Sequence, residues 1–597
     1  MARKAATKRS ADQHEYPRMQ LRRANWTNLN GTWDFAIDAT AQWTAPDQVE
    51  FDRTIVVPFA PETPASGVEE TGFFDAVWYR RTFATPKLKN GERLILHFGA
   101  VDYEASVWVN DSLAARHEGG YTPFSADITD LLDGDGAGGA QTIVVRAFDD
   151  PHDLAKPRGK QDWQLEPHSI WYFRTTGIWQ TVWMEVVPQT RIASLQWTPC
   201  VREWAFDFSA RVAGPVPDGL KLRLRLSAHG KELTHDAYSL SDREILRRIA
   251  LPDPGIEDHR NDLLWWPDRP NLIDAEIELL DGDGEVIDRV ESYTAMRSVG
   301  VDHDRFVLNG RMVDLKLVLD QGYWRESGLT APSDAALRRD VELVKELGFN
   351  GVRKHQKIED PRFLYWADKL GLMAWEEMPS PYRFSQQAIE RLTREWLAAM
   401  ARDISHPCII CWVPFNESWG VPDLPNVAAQ REFLRGVYHL TKSFDPNRPV
   451  IGNDGWEMVV TDIVAIHDYE RVPDNVTKRY ARTKGNLADL FKYERPGHKQ
   501  LLLEGCPYEN RPIMLTEFGG IAYSKDTKHT WGYKRAATPR EFGKQYGDLL
   551  AAVRAMPLFS GFCYTQFTDT YQEANGLLYM DRTPKVPIKE IRKATSG

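Results

Sequence analysis

The chain has 597 residues, of which 42% are hydrophobic and 27% charged. These proportions are typical of a folded protein with several domains and exclude a mostly disordered or fibrous chain. Lys and Arg number 74 against 85 Asp and Glu, a net charge of -11, so nucleic acid is not an expected partner. No apolar run reaches the roughly 18 residues of a membrane span, so no membrane partner is expected either.

The N-terminal region, residues 1–24, is basic and polar and has no apolar stretch of the secretory-signal kind. We therefore expect a flexible segment over 1–24 and a cytoplasmic protein. The five cysteines give no readable disulfide framework. Cys408 and Cys411 lie within an apolar, strand-like run, which argues against a zinc or redox pair.

Short alternating runs separated by turn residues fill residues 25–188, and they predict an antiparallel β-sandwich. The alternation of apolar and polar residues is more regular over 189–299, for example in LRLRLS. This range fits one immunoglobulin-like β-sandwich. The Gly/Asp clusters at 133–139 and 281–285 resemble a dinucleotide fingerprint and a calcium loop only in part, and both are interpreted as hairpin turns.

Strand-like runs alternate with amphipathic helices over 300–597, which predicts a (β/α)8 TIM barrel. Ser333–Leu347 is a predicted helix that Gly348 ends; Gly371 ends another, and Thr538 begins a third with Pro539 at its first position. The unit after the sixth strand is irregular, and no helix is assigned there. Eight strands are predicted: 313–319, 349–355, 372–378, 408–415, 449–454, 462–468, 512–518 and 559–567.

Polar residues follow most of these strands, where a barrel of this kind places its active residues. They are mainly carboxylates, amides and aromatics, which suit a neutral, polyhydroxylated ligand such as a carbohydrate. The residues are Asp320, Arg353, His355, Glu376, Glu377, Asn416, Glu417, His467, Asp468, Tyr469, Glu517, Gln566 and Asp569.

Glu417 and Glu517 end the fourth and seventh predicted strands, one hundred positions apart. Strands so placed face each other across a barrel mouth, so two carboxylates could flank one glycosidic bond. One would protonate the leaving oxygen and the other would attack the anomeric carbon; a separation of about 5 Å would make the hydrolysis retaining. The nucleophile's charge is expected to raise the pKa of the acid, and Asn416 could bond the sugar 2-hydroxyl.

Several segments resemble glycoside hydrolase family 2, the family of β-galactosidases, β-glucuronidases and β-mannosidases. CIICWVPFNESWG (408–420) resembles its acid/base segment and PIMLTEFGG (512–520) its nucleophile segment. Residues 297–324 resemble the entry to its barrel, and LNGTWDF (29–35) with TTGIWQTVWMEVV (175–187) resemble its N-terminal jelly roll. The resemblance implies that 25–188 is a jelly-roll, sugar-binding-like domain.

The resemblance also implies individual roles. Glu417 matches the family's general acid/base, Glu517 its nucleophile, Asn416 the asparagine before the acid, and Arg353 the arginine that supports the nucleophile. His355 is taken as the equivalent of the histidine that follows this arginine.

The chain departs from the family in two places. Thr565 stands where a tryptophan is expected late in strand 8. The stretch Glu573–Leu577 lacks the lysine of the Asn-x-Lys pair with which β-glucuronidases hold the sugar carboxylate, so a glucuronide is disfavoured.

Further sugar-contacting or supporting residues are expected on the same rim. They are Glu377 (since Glu376 and Glu377 must point to opposite sides), His467, Tyr469, Gln566 and Asn575. Trp163 and Trp171 could reach the cleft from the first domain, although core packing is the expected fate of at least one of them.

The function inferred from the sequence is a retaining exo-glycoside hydrolase, β-galactosidase-like, acting on an oligosaccharide or glycoside. β-Mannosidase, α-L-arabinofuranosidase and a non-catalytic carbohydrate-binding protein stay open as alternatives. The mechanism requires no cofactor. Mg²⁺ or Na⁺ is implied by the resemblance alone, without a recognisable ligand cluster, and the oligomeric state is left open.

Overall fold

The structure, a computed structural model, describes residues 16–134, 138–481 and 487–597. Two antiparallel β-sandwiches precede a barrel of parallel strands and helices. This order confirms the predicted fold class. Within the described residues, no helix is both long and apolar enough to cross a bilayer.

The first sandwich has a four-stranded sheet in the order β1-β12-β5-β9 and a six-stranded sheet in the order β3-β2-β4-β10-β7-β8. Alternating apolar side chains from the two sheets, such as Trp33, Leu96 and Val107, meet in one buried core. The strands are β1 (Trp26–Asn28), β2 (Gly31–Asp38), β3 (Arg53–Val57), β4 (Ala76–Ala84), β5 (Glu92–Phe98), β6 (Val101–Asp102), β7 (Glu104–Val109), β8 (Ser112–Glu118), β9 (Phe124–Asp127), β10 (Ala140–Phe148), β11 (Gly177–Ile178) and β12 (Val182–Pro188).

The N-terminal segment packs between the two sandwiches from Tyr16 onward. Tyr16 donates a 2.6 Å hydrogen bond to Glu185 on β12, and Arg23 pairs with Glu185 and Asp288 at 3.3 and 2.9 Å. Both carboxylates are buried and need a counter-ion. The expectation of a flexible segment is therefore wrong for 16–24, while 1–15 lie outside the described residues.

The second sandwich pairs a sheet β13-β14-β17 with a sheet β16-β15-β20-β21. Leu222, Leu224 and Leu226 on β15 are fully buried while the intervening arginines face outward, as the alternation predicts. Its elements are β13 (Arg191–Cys200), β14 (Ala205–Ala213), β15 (Lys221–Ala228), β16 (Lys231–Ser239), β17 (Glu244–Ala250), α1 (Glu257–Arg260), β18 (Trp265–Trp266), β19 (Arg269–Pro270), β20 (Ile273–Leu280) and β21 (Val286–Thr294).

The two Gly/Asp clusters differ in outcome. Residues 281–285 connect β20 to its neighbour β21, with Asp281 N donating to Glu285 O at 3.0 Å, so this hairpin turn is confirmed. Residues 133–139 connect β9 to β10, which lie in different sheets, so the hairpin expected there is wrong. Residues 135–137 of that cluster lie outside the described residues.

The barrel sheet has seven parallel strands in the order β28-β27-β26-β25-β33-β30-β29. The predicted fifth strand is not a regular strand: Val450 and Asp454 form isolated bridges with Trp412 and Asn416, and the segment lies beside β28. After a small sheet of β22 (Val299–Asp302), β23 (Arg305–Leu308) and β24 (Arg311–Met312), the elements are β25 (Leu315–Asp320), α2 (Asp334–Glu346), β26 (Gly351–Lys354), α3 (Pro361–Leu370), β27 (Met373–Glu377), α4 (Gln386–Asp403), β28 (Ile409–Val413), α5 (Ala428–Phe444), β29 (Val464–His467), α6 (Pro473–Tyr480), α7 (Leu487–Lys492), β30 (Ile513–Glu517), β31 (Ile521–Ala522), β32 (Lys534–Arg535), α8 (Pro539–Arg554), β33 (Phe559–Tyr564) and α9 (Ile588–Ser596).

The predicted helix ends are confirmed. Ser333 accepts a hydrogen bond from Ala336 N at the start of α2, and Gly371 ends α3 in the left-handed conformation. Thr538 accepts from Glu541 N at 3.1 Å, while the Glu541 carboxylate reaches Ala537 N at 2.8 Å, one residue before the position a capping box uses. The irregular unit after the sixth strand contains two short helices, α6 and α7.

A long loop of the first sandwich lies over the carboxyl ends of the barrel strands. Arg158 N and Gly159 N both donate to Ser380 O at 3.2 Å, and Tyr382 donates to Gly159 O at 2.6 Å. Gly159 has φ +59, and a Cβ there would lie 2.5 Å from Gln356 O, so only glycine allows this close approach. The first domain therefore forms one wall of the barrel mouth.

Candidate active site

Arg353 on β26 lies at the centre of the barrel mouth and is fully buried. It donates to Glu377 at 2.8 Å, to Glu517 at 3.0 Å and to Asn416 Oδ1 at 2.7 Å. Asp454 Oδ2 lies 3.5 Å from its Nε. One guanidinium thus fixes side chains from four positions around the rim, and five fork-shaped donors suit that task.

The carboxylates of Glu417 and Glu517 face each other. One oxygen of each, with a ring nitrogen of His467, lie within 4.8 Å of one another. Retaining glycosidases hold their two carboxyl groups about 5–5.5 Å apart, whereas inverting ones need about 6.5–9.5 Å for an intervening water. The separation fits double displacement.

The backbone at Glu417 is in the left-handed region, with φ +52, and Ser418 follows with φ +62. Non-glycine residues rarely adopt this conformation, which costs of order 1–3 kcal/mol each. Hydrogen bonds hold it in place: Glu417 N donates to Asp454 O at 2.9 Å and Ser418 N to Asn453 Oδ1 at 3.0 Å. This turn directs the Glu417 side chain from the end of β28 toward Glu517.

His467 on β29 links three carboxylates. Its Nδ1 lies 2.8 Å from Glu417 Oε1, and its Nε2 lies 2.9 Å from Asp454 Oδ1 and 3.5 Å from Glu517 Oε1. Burial disfavours the charged ring, but Glu517, Asp454 and Glu417 outweigh burial and raise the pKa of His467 to about 10. His467 is therefore an imidazolium at neutral pH, and it donates from both nitrogens.

Glu517 on β30 is held in its ionised form. Burial opposes ionisation, but the charges of His467 and Arg353 prevail and lower the pKa of Glu517 to about 2. Tyr469 donates a 2.6 Å hydrogen bond to Glu517 Oε2 and stacks on Tyr533 with ring centroids 3.5 Å apart. An ionised, oriented carboxylate is what a nucleophile requires.

Glu376 and Glu377 point to opposite sides of β27, as predicted. Glu377 contacts Arg353, and His355 Nδ1 lies 2.8 Å from its Oε1. Burial raises the pKa of Glu377 to about 7 against the pull of Arg353. Glu376 lies outside the mouth, where burial and the charge of Asp403 raise its pKa well above the usual range.

Gln566 and Asn575 are less exposed to solvent than the carboxylate pair. Gln566 Oε1 accepts from Gln321 at 2.9 Å, and Asn575 Nδ2 donates to Glu573 Oε1 at 3.0 Å. Both side chains are fully buried. Thr565, which replaces the expected tryptophan, lies with its Oγ1 3.2 Å from the Tyr469 hydroxyl.

Four aromatic rings from two domains form a cluster beside Glu417. Trp163 and Trp171 contact Tyr382 at centroid distances of 5.0 and 5.8 Å, and Trp171 and Tyr382 contact Trp419 at 5.6 and 5.1 Å. All four are half-buried. The expectation that at least one of Trp163 and Trp171 packs in a core is wrong, because both rings are half-buried in the cluster between the loop and the barrel.

Within the described residues, three side chains group closely enough to resemble a metal site: Glu417, His467 and Glu517. The group does not suit Mg²⁺ or Na⁺, because hard cations prefer oxygen ligands and both ring nitrogens of His467 already lie within hydrogen-bonding distance of carboxylates. The Mg²⁺ or Na⁺ implied by the resemblance therefore has no support at this position.

Three residues of the site were missed by the sequence analysis. Asp454 ends the predicted fifth strand and accepts from His467 and from Thr516 Oγ1 at 2.5 Å, so its position at a strand end could have identified it. Glu573 and Lys160 lie in long loops, and Lys160 belongs to another domain. No pattern in the sequence marks either of them.

Two facing carboxylates at a barrel mouth, positioned by an arginine and an imidazolium, form the constellation that double-displacement glycoside hydrolysis uses. Comparison with known families agrees with this class. "Glycosyl hydrolases family 2, TIM barrel domain" matches residues 299–597, "Glycosyl hydrolase 2 galactose-binding domain-like" matches 69–180, and "Glycosyl hydrolases family 2" matches 190–297. The chain belongs to glycosyl hydrolase family 2.

Similar curated proteins carry different names. A β-galactosidase of Thermoanaerobacter pseudethanolicus is 25% identical over 89% of this chain and 65% of its own length. A putative β-glucuronidase of Formosa agariphila is 28% identical over 62% of this chain and 44% of its own length. The chain thus spans less than two thirds of either relative.

Solved structures share the fold along nearly the whole chain. A β-galacturonidase of Eisenbergiella tayi bound to galacturonate is 19% identical with a TM-score of 0.74, covering 98% of this chain and 99% of that one. A β-glucuronidase of Bifidobacterium dentium is 21% identical with a TM-score of 0.75, covering 96% and 98%. At such identities the likeness concerns the fold alone.

Proposed function

We propose that this protein is a retaining exo-glycoside hydrolase in which Glu517 is the nucleophile and Glu417 the general acid/base. The observation that carries the proposal is the approach of one oxygen from each carboxylate to within 4.8 Å. That distance is shorter than the roughly 6.5–9.5 Å at which inverting enzymes hold their carboxyl groups to admit an attacking water.

In the first step, a Glu517 oxygen attacks the anomeric carbon while the bond to the leaving oxygen breaks. The Glu417 proton passes to that oxygen, and a glycosyl ester of Glu517 remains. In the second step, Glu417 takes a proton from water, the hydroxide oxygen bonds to the anomeric carbon, and the ester bond breaks to restore Glu517.

Neighbouring groups support both steps. Arg353 and Tyr469 bind the two oxygens of Glu517 and stabilise the carboxylate that departs in the second step. Asn416 Oδ1 is occupied by Arg353, and within the described part of the chain its Nδ2 has no protein acceptor. Nδ2 is thus available to donate to the sugar 2-hydroxyl.

Exo action is supported by the wall that the first domain adds. Lys160 and Tyr172 are buried, and Tyr172 donates a 2.5 Å hydrogen bond to Glu573 of the barrel. A pocket closed on this side accepts the end of a saccharide rather than its middle.

Two sugar classes are supported as substrates. The β-galactoside favoured by the sequence analysis agrees with the Thermoanaerobacter relative. β-Glucuronide, which the missing lysine disfavoured, has equal support because relatives with that name match as well. β-Mannoside and α-L-arabinofuranoside remain alternatives by family resemblance, whereas a non-catalytic binding protein would not need both glutamates so close together.

Hydrolysis of p-nitrophenyl glycosides of these sugars tests the proposal, followed by trapping with the matching 2-deoxy-2-fluoro glycoside. The expected result is a covalent adduct on the peptide that contains Glu517. Glu376→Gln is the matched control, since this neighbouring buried carboxylate faces Asp403, and it should hydrolyse and be trapped normally. An adduct on another residue, or no hydrolysis and no adduct with any sugar, would contradict the proposal.

A further inference from the structure

Lys160 is a buried lysine whose backbone is fixed at the wall of the barrel mouth. It follows Gly159, whose N–H binds Ser380 O, and Lys160 O accepts from Tyr172 N at 2.8 Å. The residue is only 4% exposed. A backbone held on both sides gives the side chain a defined direction.

The ammonium of Lys160 differs from that of every other buried lysine in the described residues. Lys156, Lys354, Lys357 and Lys585 each contact a carboxylate. Within the same part of the structure, Lys160 Nζ has no hydrogen-bond acceptor within 3.5 Å and no carboxylate within 4.0 Å. The Nζ atom lies over the aromatic ring of Tyr172, 5.9 Å from the ring centroid.

The contact with Tyr172 places this ammonium beside the site, because the Tyr172 hydroxyl donates to Glu573 of the barrel. Burial lowers the pKa of Lys160, and the charges of Glu573, Glu417, Glu517 and Glu377 act in the opposite sense. After burial, Lys160 is also the largest cause of the lowered pKa of His355. The amine therefore acts on both proposed catalytic glutamates without being paired to either.

Glu573 is the carboxylate whose charge acts most strongly on Lys160, but it forms no ion pair with this lysine. Glu573 Oε2 already accepts from Tyr172, and Oε1 accepts from Asn575. Arg353 and His467 are likewise occupied by carboxylates of the site. Within the described residues, Lys160 is thus a cation at the mouth whose ammonium has neither a carboxylate partner nor a hydrogen-bond acceptor.

The Lys160 ammonium has no hydrogen-bond or ion-pair partner within the described residues, so a ligand that supplies an anion at this point gains an interaction that the protein lacks. A neutral sugar offers only hydroxyls, whereas a uronic acid offers a carboxylate. The uronate carboxylate would supply the counter-ion that Lys160 lacks within the described residues, and the catalytic glutamates would keep their own partners.

We propose that Lys160 binds the carboxylate of a β-D-hexuronide and selects acidic over neutral sugars, so that a first-domain lysine sets the specificity of the barrel. The kinetic test of this proposal rests on the proposed function, because it requires that the protein hydrolyses glycosides. The lysine missing after Glu573 is then not needed, because Lys160 supplies the cation from the first domain.

The test compares p-nitrophenyl β-D-glucuronide and β-D-galacturonide with β-D-galactoside and with the neutral uronamides of both acids. The wild-type kcat/KM should be at least about 100-fold higher for one uronate than for its uronamide, as expected for a buried charge-assisted contact. Lys160→Met should remove that ratio, and its kcat/KM should fall at least about tenfold more for the uronate than for the galactoside. Lys544→Met, an exposed lysine paired with Asp548, is the matched control.

Equal losses on uronate and galactoside in Lys160→Met, or a wild type that does not distinguish uronate from uronamide, would overturn the proposal. The wild-type comparison stands even if the variant does not fold. If no glycoside is hydrolysed, calorimetric binding of free D-glucuronate and D-galacturonate still decides it: binding that Lys160→Met weakens at least about 100-fold supports the carboxylate site, and no binding refutes it. If uronates bind but no glycoside is hydrolysed, the result counts against the proposed function and not against the carboxylate site.

Discussion

Replacing Glu417 by alanine removes the proposed proton donor and leaves a space next to Glu517. Alanine is preferred to glycine because residue 417 has φ +52, a conformation that glycine adopts at lower cost, so glycine would change the backbone energy as well as remove the carboxyl group. The loss should depend on the leaving group, because a positioned acid contributes about 10²–10⁴-fold where the leaving oxygen needs a proton. A dinitrophenolate leaves without one, so kcat/KM for the dinitrophenyl glycoside, which reports the first step, should fall less than about tenfold, while kcat falls further because the second step lacks its base.

Azide separates the two steps. The carboxylate oxygens of Glu417 and Glu517 lie within 4.8 Å, so truncation at 417 opens a space the size of a small anion beside the anomeric carbon. Azide should restore turnover of the dinitrophenyl glycoside in Glu417→Ala and yield a β-glycosyl azide, detected by mass spectrometry. Glu417→Gln lacks the acid but keeps the volume, so it should show no rescue.

The result that would refute this reasoning is a uniform loss. If Glu417→Ala reduces kcat/KM equally for phenyl and dinitrophenyl glycosides and azide restores neither, Glu417 is not the acid/base. Rescue of Glu417→Gln as strong as that of the alanine variant would also contradict the account, because it would show that the vacated volume is not the azide site.

Three further variants test the surroundings of the pair. Glu517→Gln should lower kcat at least about 10⁴-fold with an unchanged circular dichroism spectrum, because an amide cannot form the glycosyl ester; near-normal turnover of a pure preparation would contradict this. Tyr469→Phe removes a donor to Glu517 and should slow the second step about 10²-fold, measured as a larger pre-steady-state burst; an unchanged burst would argue against it. The pKa of His467 is about 10 in the folded protein and 6.5 ordinarily, so its stabilisation is complete below about pH 6.5 and is lost as pH rises to 10. The wild-type Tm should therefore fall more than that of His467→Gln over this range, and parallel curves would exclude the charged ring.

The fold was largely predictable because periodicity reports which face of an element is buried. The alternation of Leu222 to Leu226 and the helix that starts after Ser333 both depend on local sequence. The fifth barrel strand forms isolated bridges at Val450 and Asp454, and Gly452 between them lies so close to the Val460 carbonyl that it leaves no room for a Cβ.

Interactions between distant residues were not predictable from periodicity. Arg23 is buried because Asp288, 265 positions away, needs a counter-ion. The Glu417–Glu517 pair was accessible because barrel geometry relates strand number to position around the mouth. Lys160 was not, since no rule of spacing connects a sandwich loop to a barrel rim.

The central claim is that two carboxylates less than 5 Å apart carry out double displacement. Proton NMR of the anomeric signal during hydrolysis of a β-glycoside tests this most directly, before mutarotation mixes the products. The account predicts that the β-anomer of the free sugar accumulates first. Initial release of the α-anomer would show inversion and would contradict it.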